Sequence, residues 1–571
     1  MASTYRPQVV RTRRKQMYFP LTGAEIDRLR RFGETRNFAD GDYLFHAGET
    51  GVGMAVILSG KAHIYRRNGL GRDEVIVSYR PRHFISEVGQ LSGRASFVDC
   101  RAEGKVQALM IPPAGLRALV IAEAELGERI MRSLILRRMG LVEVGVGGPV
   151  LIAPPETPGL VRLRNFLQRN AIPHRVLDPA VEHEADALMA CAKPSRDQLP
   201  LVLCPNGALL RNPTERELAE CIGLLTHLDP YKTYDVAVVG AGPSGLATAV
   251  YAASEGLSVA VLESRAYGGQ AGASSRIENY LGFPTGISGQ ALAGRAFVQA
   301  QKFGAEVVAP ASVERLDCNQ PDNYVLHLMC GDQLRARAVV IASGAEYRRP
   351  DVPGLKEAES DGVHYWASPV EGALCQGHEV ALVGGGNSAG QAAVYLASKA
   401  RKVWMLVRRE GLEATMSKYL IERIKAQPNI ELLPFTEVDR LEVDASGALC
   451  TIGWRNNKTG KTSQNPLRHL FLFIGEDPCT DWMKGCDAAV DGKGFVLTGQ
   501  AARPKEQNPL ALMTSLNGVF AIGDVRSGST KRVAAAVGEG AAVVAQIHGY
   551  LASLQTQPES QHELGREEAR A

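Results

Sequence analysis

The amino-acid sequence predicts a multidomain α/β protein, and three observations carry that expectation. The chain has 571 residues, beyond the ~250–300 residues at which a single core stops growing. Its N-terminal segment alternates apolar and polar positions between glycine turns, as half-buried strands do. Its C-terminal half holds two apolar runs, each followed by a glycine-rich turn and a helical stretch, the pattern of parallel strands with crossover helices.

Composition narrows the function classes. The chain is 45% hydrophobic and 22% charged, with a net charge of +3, so neither nucleic acid nor a membrane surface is expected as a partner. The basic start (Arg11, Arg13, Arg14, Lys15) reads as a solvated arm. No apolar run reaches the ~18 residues of a membrane span, and no charged-then-apolar leader opens the chain. Ten cysteines form no regular framework and no C-x-x-C, which fits a reduced, cytoplasmic protein. Cys479 and Cys486 lack redox-motif spacing and read as structural thiols. No metal site is expected, and no motif supports a hydrolase or a nucleic-acid enzyme.

Residues 1–145 read as short strands and then helix. Segments 37–45 and 54–65 alternate, and 116–139 carries apolar residues at helical spacing. Glycine turns stand at Gly41-Asp42 and Ser59-Gly60. A cassette follows at Phe84-Ile85-Ser86-Glu87-Val88-Gly89-Gln90-Leu91-Ser92-Gly93-Arg94-Ala95-Ser96. On these features the segment resembles the cyclic nucleotide-binding domain of bacterial regulators and cyclic-nucleotide-dependent kinases, a β-roll. In such a cassette a short helix presents N–H groups to an anion. The resemblance implies Arg94 as ligand of the cyclic phosphate and Glu87 as acceptor from the ribose 2′-OH, with Ser96 close by. Ser86 stands where the family has glycine, and a side chain there would force a different turn and weaken binding. The alternative is a β-roll that kept its fold and lost its ligand.

Residues 146–229 form a smaller α/β unit. A buried strand at 148–153 precedes a helix at 159–170 and a strand at 174–178. A segment at 198–203 then leads to a turn at Pro205-Asn206-Gly207 and a closing helix at 214–225. This order is similar to a thioredoxin or glutaredoxin fold, with Pro200 in the place of that family's cis-proline. The loop after the first strand, Pro154-Pro155-Glu156-Thr157-Pro158, carries no cysteine. Without a thiolate at a helix N-terminus the unit has no nucleophile for disulfide exchange, and a docking or linking role is expected.

From Tyr234 the pattern sharpens. The strand Asp235-Val236-Ala237-Val238-Val239 runs into Gly240-Ala241-Gly242-Pro243-Ser244-Gly245 and a helix. Gly240 permits the tight turn, Gly242 the approach of backbone to a pyrophosphate, and Gly245 close helix–strand packing. A second strand, 257–262, ends in Glu263, suited to accept from an adenosine ribose. The other fingerprint follows Glu379-Val380-Ala381-Leu382-Val383 as Gly384-Gly385-Gly386-Asn387-Ser388-Ala389. Its second strand, 402–407, ends in Arg408-Arg409 rather than an acid. Two guanidinium groups suit the 2′-phosphate of NADP, so NADPH is expected over NADH.

Two nested Rossmann-type dinucleotide-binding units resemble the two-dinucleotide-binding-domain flavoproteins, and thioredoxin reductase most closely, from about 234 to 551. The match includes Gly268-Gly269-Gln270, Ile277-Glu278-Asn279-Tyr280-Leu281-Gly282-Phe283-Pro284 and Ala342-Ser343-Gly344-Ala345. It ends in Gly518-Val519-Phe520-Ala521-Ile522-Gly523-Asp524-Val525 and Lys531-Arg532-Val533-Ala534-Ala535-Ala536-Val537-Gly538-Glu539-Gly540. The resemblance implies FAD and NADPH as cofactors and a homodimer. It implies that Gly269, Gln270 and Asn279 lie where the isoalloxazine packs, and that Gly523-Asp524 holds the ribityl chain. It also implies that the helix after Lys531, Arg532 and Val533 turns its positive end to the flavin's pyrimidine edge, which stabilises the anionic reduced flavin. Lys531-Arg532 departs from the family's Arg-Gln. The implied nesting is 230–354 plus 475–553 for FAD and 355–474 for NADPH, with a disordered tail at 554–571.

Where that family carries its redox dithiol, the chain reads Tyr365-Trp366-Ala367-Ser368-Pro369-Val370-Glu371-Gly372. Trp366 and Pro369 stand roughly where the cysteines belong, in a loop one residue longer. Three readings stay open. The first is an NADPH-dependent flavin oxidoreductase serving another acceptor, such as ferredoxin or flavodoxin, a quinone, or oxygen. The second is a disulfide reductase, with a thioredoxin-like protein as acceptor, that uses a partner's or a distant thiol. The third is a flavin-containing redox or nucleotide sensor with little turnover. No catalytic acid–base residue is named; His364 is the one candidate weighed, and a packed or surface histidine is the preferred reading.

Overall fold

The computed structural model describes all residues except 1–7, 68–72, 87, 93–95, 97, 145–147, 226–227, 275, 319, 321, 360, 445–446 and 556–571. It opens with α1 (Gln8–Met17) and α2 (Gly23–Leu29). Thr22 and Glu25 start α2 as a reciprocal capping box. The basic start is therefore part of a helix rather than a free arm. The Met17 carbonyl at its end accepts from Ser133 Oγ at 2.6 Å and Arg137 Nε at 2.9 Å, while Arg13, Arg14 and Lys15 stay exposed.

Six antiparallel strands form the roll: Glu34–Phe38, Tyr43–Phe45, Met54–Arg67, Asp73–Tyr79, Phe84–Ile85 and Asp99–Ile111. The helix expected over 116–139 is two helices, α3 (Pro113–Ala122) and α4 (Ala124–Val144). The break falls at Glu123, whose backbone leaves helical space (φ −108, ψ 82) and whose carboxylate is drawn to Arg31 at 2.7 Å and Arg28 at 3.5 Å. Gly127 allows the fold-back, since a Cβ there would stand 2.7 Å from the Val120 carbonyl oxygen.

The middle unit pairs strands in the order Leu209–Arg211, Leu201–Leu203, Val150–Ile152, Arg175–Leu177. The last two run parallel and the other pairings are antiparallel. Its helices are α5 (Pro158–Arg169), α6 (His183–Ala192) and α7 (Glu215–Cys221), and the Leu199–Pro200 peptide is cis. The closing helix is shorter than its apolar spacing predicts. Cys221 ends it in a disulfide to Cys204, and Gly223 turns away at φ +66.

The next sheet places Val259–Leu262 and Gln333–Ile341 parallel to, and on either side of, Thr233–Val239. The strands Glu306–Val308, Val519–Ala521, Tyr324–Leu328 and Val313–Asp317 complete its seven. Its helices are α8 (Pro243–Ser254), α9 (Gly269–Ala273) and α10 (Gly289–Lys302). The inserted half has a five-stranded parallel sheet, Val363–His364, Leu470–Leu472, Glu379–Val383, Lys402–Val407 and Ile430–Pro434. It carries α11 (Leu355–Ala358), α12 (Pro369–Leu374), α13 (Asn387–Ala397) and α14 (Lys418–Lys425). The two connections between the halves pair with each other, Ala345–Tyr347 against Glu476–Pro478. The last helix, α15 (Val533–Gln555), packs on α8 and includes Leu554, which lies against the core. The expected disorder thus does not begin at 554; positions 556–571 lie outside the described residues.

One apolar core runs from the roll's helices into the half built on Thr233–Val239. Leu91, Leu116, Leu119 and Leu134 belong to the same buried cluster as Phe297, Val298 and Tyr267. Truncating one such leucine to alanine costs ~2–5 kcal/mol, so the roll is joined to its neighbour rather than tethered. Cys486, expected as a free thiol, pairs with Cys318, 168 residues away, while Cys479 stays free. Packing brings the two chain segments together, which spacing along the chain does not reveal. Among the described residues no helix is long and apolar enough to cross a membrane, and no group of three or more His, Cys, Asp or Glu side chains is set to hold a metal.

Candidate active site

Three glycines shape the first cradle by three different constraints. Gly240 turns at φ +106 where a Cβ would stand 2.3 Å from the Ala342 carbonyl oxygen. A Cβ on Gly245 would lie 2.0 Å from the Gly240 carbonyl oxygen, so only glycine lets α8 sit on the strand. Gly242 meets nothing within 4 Å and opens the N-terminus of α8, where Pro243 occupies the first turn, to an approaching anion. Glu263, at the end of the neighbouring strand, is fixed by backbone donors: Ala241 N–H to Oε2 at 2.8 Å and Arg265 N–H to Oε1 at 3.1 Å.

The turn Gly268-Gly269 has φ +98 and +54 and presses on Gly242, whose Cα lies 3.0 Å from a Cβ built on Gly269. Gln270 donates to the Ala345 carbonyl, and Asn279 is exposed. On the far wall, Gly523 has φ +70 and no room for a Cβ beside Ser244 Oγ, 2.6 Å away. Its N–H donates to Glu539 at 2.6 Å, and Arg526 pairs with the same carboxylate. Burial pushes the Asp524 carboxyl up to about 6. Lys531 donates to the Asp524 carbonyl at 2.9 Å and pairs with Glu476 at 3.2 Å, while Arg532 is exposed and Val533 begins α15. A cradle open at Gly242, with helix N–H groups there, Glu263 fixed at one strand end and Asp524 half-enclosed on the far wall, fits an extended dinucleotide such as FAD.

The second cradle repeats the geometry. Gly384 turns at φ +142, with Phe473's carbonyl oxygen 2.5 Å from a built Cβ, and Gly386 is open at the N-terminus of α13. Asn387 Oδ1 accepts from Ser417 N–H at 2.7 Å, Ser388 lies within hydrogen-bond reach of Tyr347, and Ala389 is buried. Arg408 and Arg409 are exposed, and among the described residues neither forms an ion pair. The residues present fit NADPH by the same test.

The loop 366–371 is closed around a buried carboxylate. Glu371 is 1% exposed. Its Oε1 accepts from Trp366 Nε1 at 3.1 Å and from Asn165 Nδ2 of α5 at 2.8 Å, and its Oε2 from Ser368 N–H at 3.0 Å and from Ser368 Oγ. The middle unit therefore covers this loop through α5. It also reaches the first half through the Arg265–Glu215 ion pair at 2.7 Å. His364 is packed against Phe471 and His469, and burial lowers it to about 4, as a histidine of the core rather than a proton carrier.

In the roll, Glu87 and Arg94 lie outside the described residues. Ser96 is buried and its hydroxyl donates to the Val98 carbonyl at 2.9 Å, while the Ser86 hydroxyl donates to the Gly53 carbonyl at 2.8 Å. The cassette's short helical turn, Val88–Ser92, packs on α10. Sequence reading gave no role to Glu371, Glu539 or Arg526. Glu539 stood in a quoted motif and was open to discovery; Glu371 carried no signal beyond its spacing from Ser368.

A family model described as pyridine nucleotide-disulphide oxidoreductase matches residues 234–540, and one described as cyclic nucleotide-binding domain matches 35–123. The thioredoxin reductase of Bacillus subtilis (strain 168) is 32% identical over 324 residues, 57% of this chain and 96% of the relative. That of Treponema pallidum (strain Nichols) is 34% identical over 325 residues, 56% of this chain and 98% of the relative. Among solved structures, Lactococcus lactis thioredoxin reductase (FR conformation) aligns with a TM-score of 0.51 at 26% identity, covering 56% of this chain and 100% of that one. T. acidophilum thioredoxin reductase aligns with a TM-score of 0.51 at 27% identity, covering 56% and 99%.

Proposed function

Because this chain belongs to the pyridine nucleotide-disulphide oxidoreductase family, on its thioredoxin reductase-like side, and carries a cyclic nucleotide-binding domain, we propose that it is an NADPH-dependent FAD oxidoreductase without an internal redox dithiol. When bound, FAD takes two electrons from NADPH and passes them to an acceptor. The chain's own residues hold and orient the two cofactors. The N–H groups opened at Gly242 and Gly386 would hold the two diphosphates, Glu263 would accept from the adenosine ribose of FAD, and Asp524 would hold the ribityl chain. Arg408 and Arg409 take the 2′-phosphate of NADPH.

One observation carries the loss of the thiol relay: the loop in the dithiol's place is built around buried Glu371 and covered by α5. The nearest thiols do not replace it. Burial pushes Cys375 and Cys479 up to about 12, so both keep their protons at neutral pH and neither is a nucleophile. On this reading the chain supplies no thiol between the bound flavin and the acceptor, which would have to approach the flavin itself. We read the middle unit as thioredoxin-like from its strand order, with one parallel and two antiparallel pairings, and it serves here as a cover. The cyclic nucleotide acts through the turn Val88–Ser92, which packs on α10; Gly289 at the start of α10 donates to the Ser274 carbonyl at 2.9 Å, just after α9. A ligand that prefers one arrangement of these elements shifts flavin reactivity by linkage.

The test is anaerobic reduction by NADPH, followed at the flavin absorbance with and without cyclic AMP. Rapid bleaching that persists in a variant lacking Cys375 and Cys479 is the expected result. No bleaching of a flavin-loaded chain would replace the reductase reading with that of a sensor.

A further inference from the structure

We propose that Arg169, at the end of α5, is a further FAD-binding residue, so that the middle unit completes the flavin cradle with a cation facing the dinucleotide's diphosphate. The proposal rests on the FAD reading above. It concerns a residue outside the span 234–540 that the family model matches.

The C-terminal end of α5 is seated on the first cradle. Arg169 Nη2 donates to the Gly269 carbonyl at 2.8 Å, and Asn170 Nδ2 to the Arg265 carbonyl at 3.2 Å. Gln290 in turn donates to the Gln168 carbonyl. Gly269 is the residue that presses on Gly242, which has open space before it at the N-terminus of α8. The guanidinium is thus bonded to the turn that rests on Gly242, where an anion would enter.

Its donors and charge are matched by protein only in part. A guanidinium carries five N–H donors, and Arg169 Nε is shut from solvent without an acceptor. Burial disfavours its charge, and Arg265 beside it adds repulsion. Three carboxylates are near, and each is engaged elsewhere. Glu215 makes a forked pair with Arg265, with Nε at 3.0 Å from both oxygens and Nη2 at 2.7 Å. Glu371 serves Asn165, Trp366 and Ser368, and Glu263 is bound by the Ala241 and Arg265 N–H groups. A half-buried cation whose Nε is enclosed without an acceptor, and which has no carboxylate of its own, is costly unless an anion arrives. A diphosphate at Gly242 is that anion, with oxygens that accept from guanidinium in charge-assisted bonds.

The experiment uses the full chain. FAD content after purification, the Kd for FAD of the stripped protein, and the dependence of that Kd on salt are measured for wild type, Arg169→Ala, Arg169→Lys and Gln168→Ala. Circular dichroism and a thermal melt accompany each. Arg169→Ala is expected to weaken FAD at least about tenfold with an unchanged melt and a shallower salt dependence. Arg169→Lys recovers part of the affinity and keeps the proposal testable should the alanine variant not fold. Gln168→Ala, whose contact is through its carbonyl, stays at wild type. FAD affinity and salt dependence unchanged in Arg169→Ala overturn the proposal, as does a loss of FAD with the wild-type salt slope, which would make Arg169 a docking residue only. If wild type itself takes up no FAD, the parent reading falls; if wild type binds and Arg169→Ala binds equally, this proposal alone falls.

Discussion

The two glycine cradles share their backbone logic and differ in what stands at the end of the second strand. In the first, Glu263 is already fixed by two backbone donors, the wall opposite is braced by Glu539 and Arg526, and α5 closes the side. In the second, Arg408 and Arg409 extend into solvent. On the proposed reading the carboxylate end of the first site is fixed before any ligand binds, whereas the guanidinium end of the second would be ordered by its ligand. That difference suits a cofactor that stays and a cosubstrate that comes and goes, since preorganisation slows release while side-chain ordering on arrival lowers affinity.

The sharpest way to break the comparison is to add a side chain to each cradle. Gly245→Val drives a Cβ against the Gly240 carbonyl oxygen, 2.0 Å away, and is expected to yield a chain with no flavin absorbance and a lost thermal transition. Gly386→Val meets nothing within 4 Å. It is expected to keep fold and flavin while raising the KM for NADPH about a hundredfold, as diphosphate contacts at the helix N-terminus are lost. Equal behaviour of the two variants would end the distinction.

Acid should separate the halves next. Burial lowers His364 to about 4 and His469 to about 3, below the ~6.5 of an unfolded histidine. The unfolded chain therefore binds more protons between these values, and stability of the NADPH half is lost as pH falls from about 6.5 toward 4. Asp524 acts in the opposite sense. With its carboxyl raised to about 6 above the ~3.9 of an unfolded aspartate, its contribution is present at low pH and lost as pH rises through that window. Thermal melts followed by tryptophan and by flavin fluorescence should diverge below pH 6, the second half failing first.

A smaller effect falls on selectivity. Replacing Arg408 and Arg409 together with alanine is expected to reduce the ratio of kcat/KM for NADPH over NADH by about 10–100-fold, the worth of one or two charge-assisted contacts, and to leave FAD content unchanged. A preserved ratio would remove the reading of that strand end. Smallest of all, Cys375→Ser and Cys479→Ala should leave the rate of NADPH-driven flavin bleaching at wild type. A loss above about tenfold in either would restore a thiol to the electron path.

Both cradles were legible because a turn, its helix and its strand are contiguous: Gly240, Gly242 and Gly245 stand within six residues, and the contact that demands glycine at 245 is the Gly240 carbonyl, although the one that demands it at 240 is the distant Ala342. The strand Lys402–Val407 was placed to the residue for the same reason. The longer-range features were not legible. The break at Glu123 depends on Arg28 and Arg31, some ninety residues earlier, and the Cys318–Cys486 pair depends on a fold-back that no local pattern encodes.

What the sequence determined by itself was the local machinery: two strand–turn–helix cradles, the carboxylate and guanidinium ends that distinguish them, and a segment at 365–372 without cysteine. Each follows from sterics and charge acting over a few neighbouring residues. Only the tertiary structure decided that Asn165 would close on Glu371, that Arg169 would reach Gly269, and that the nucleotide cassette would pack on α10. These contacts join parts of the chain that are 206, 100 and about 200 residues apart. They arise because three units bury apolar faces against one another, and buried polar groups at those seams must then find partners wherever packing has put them.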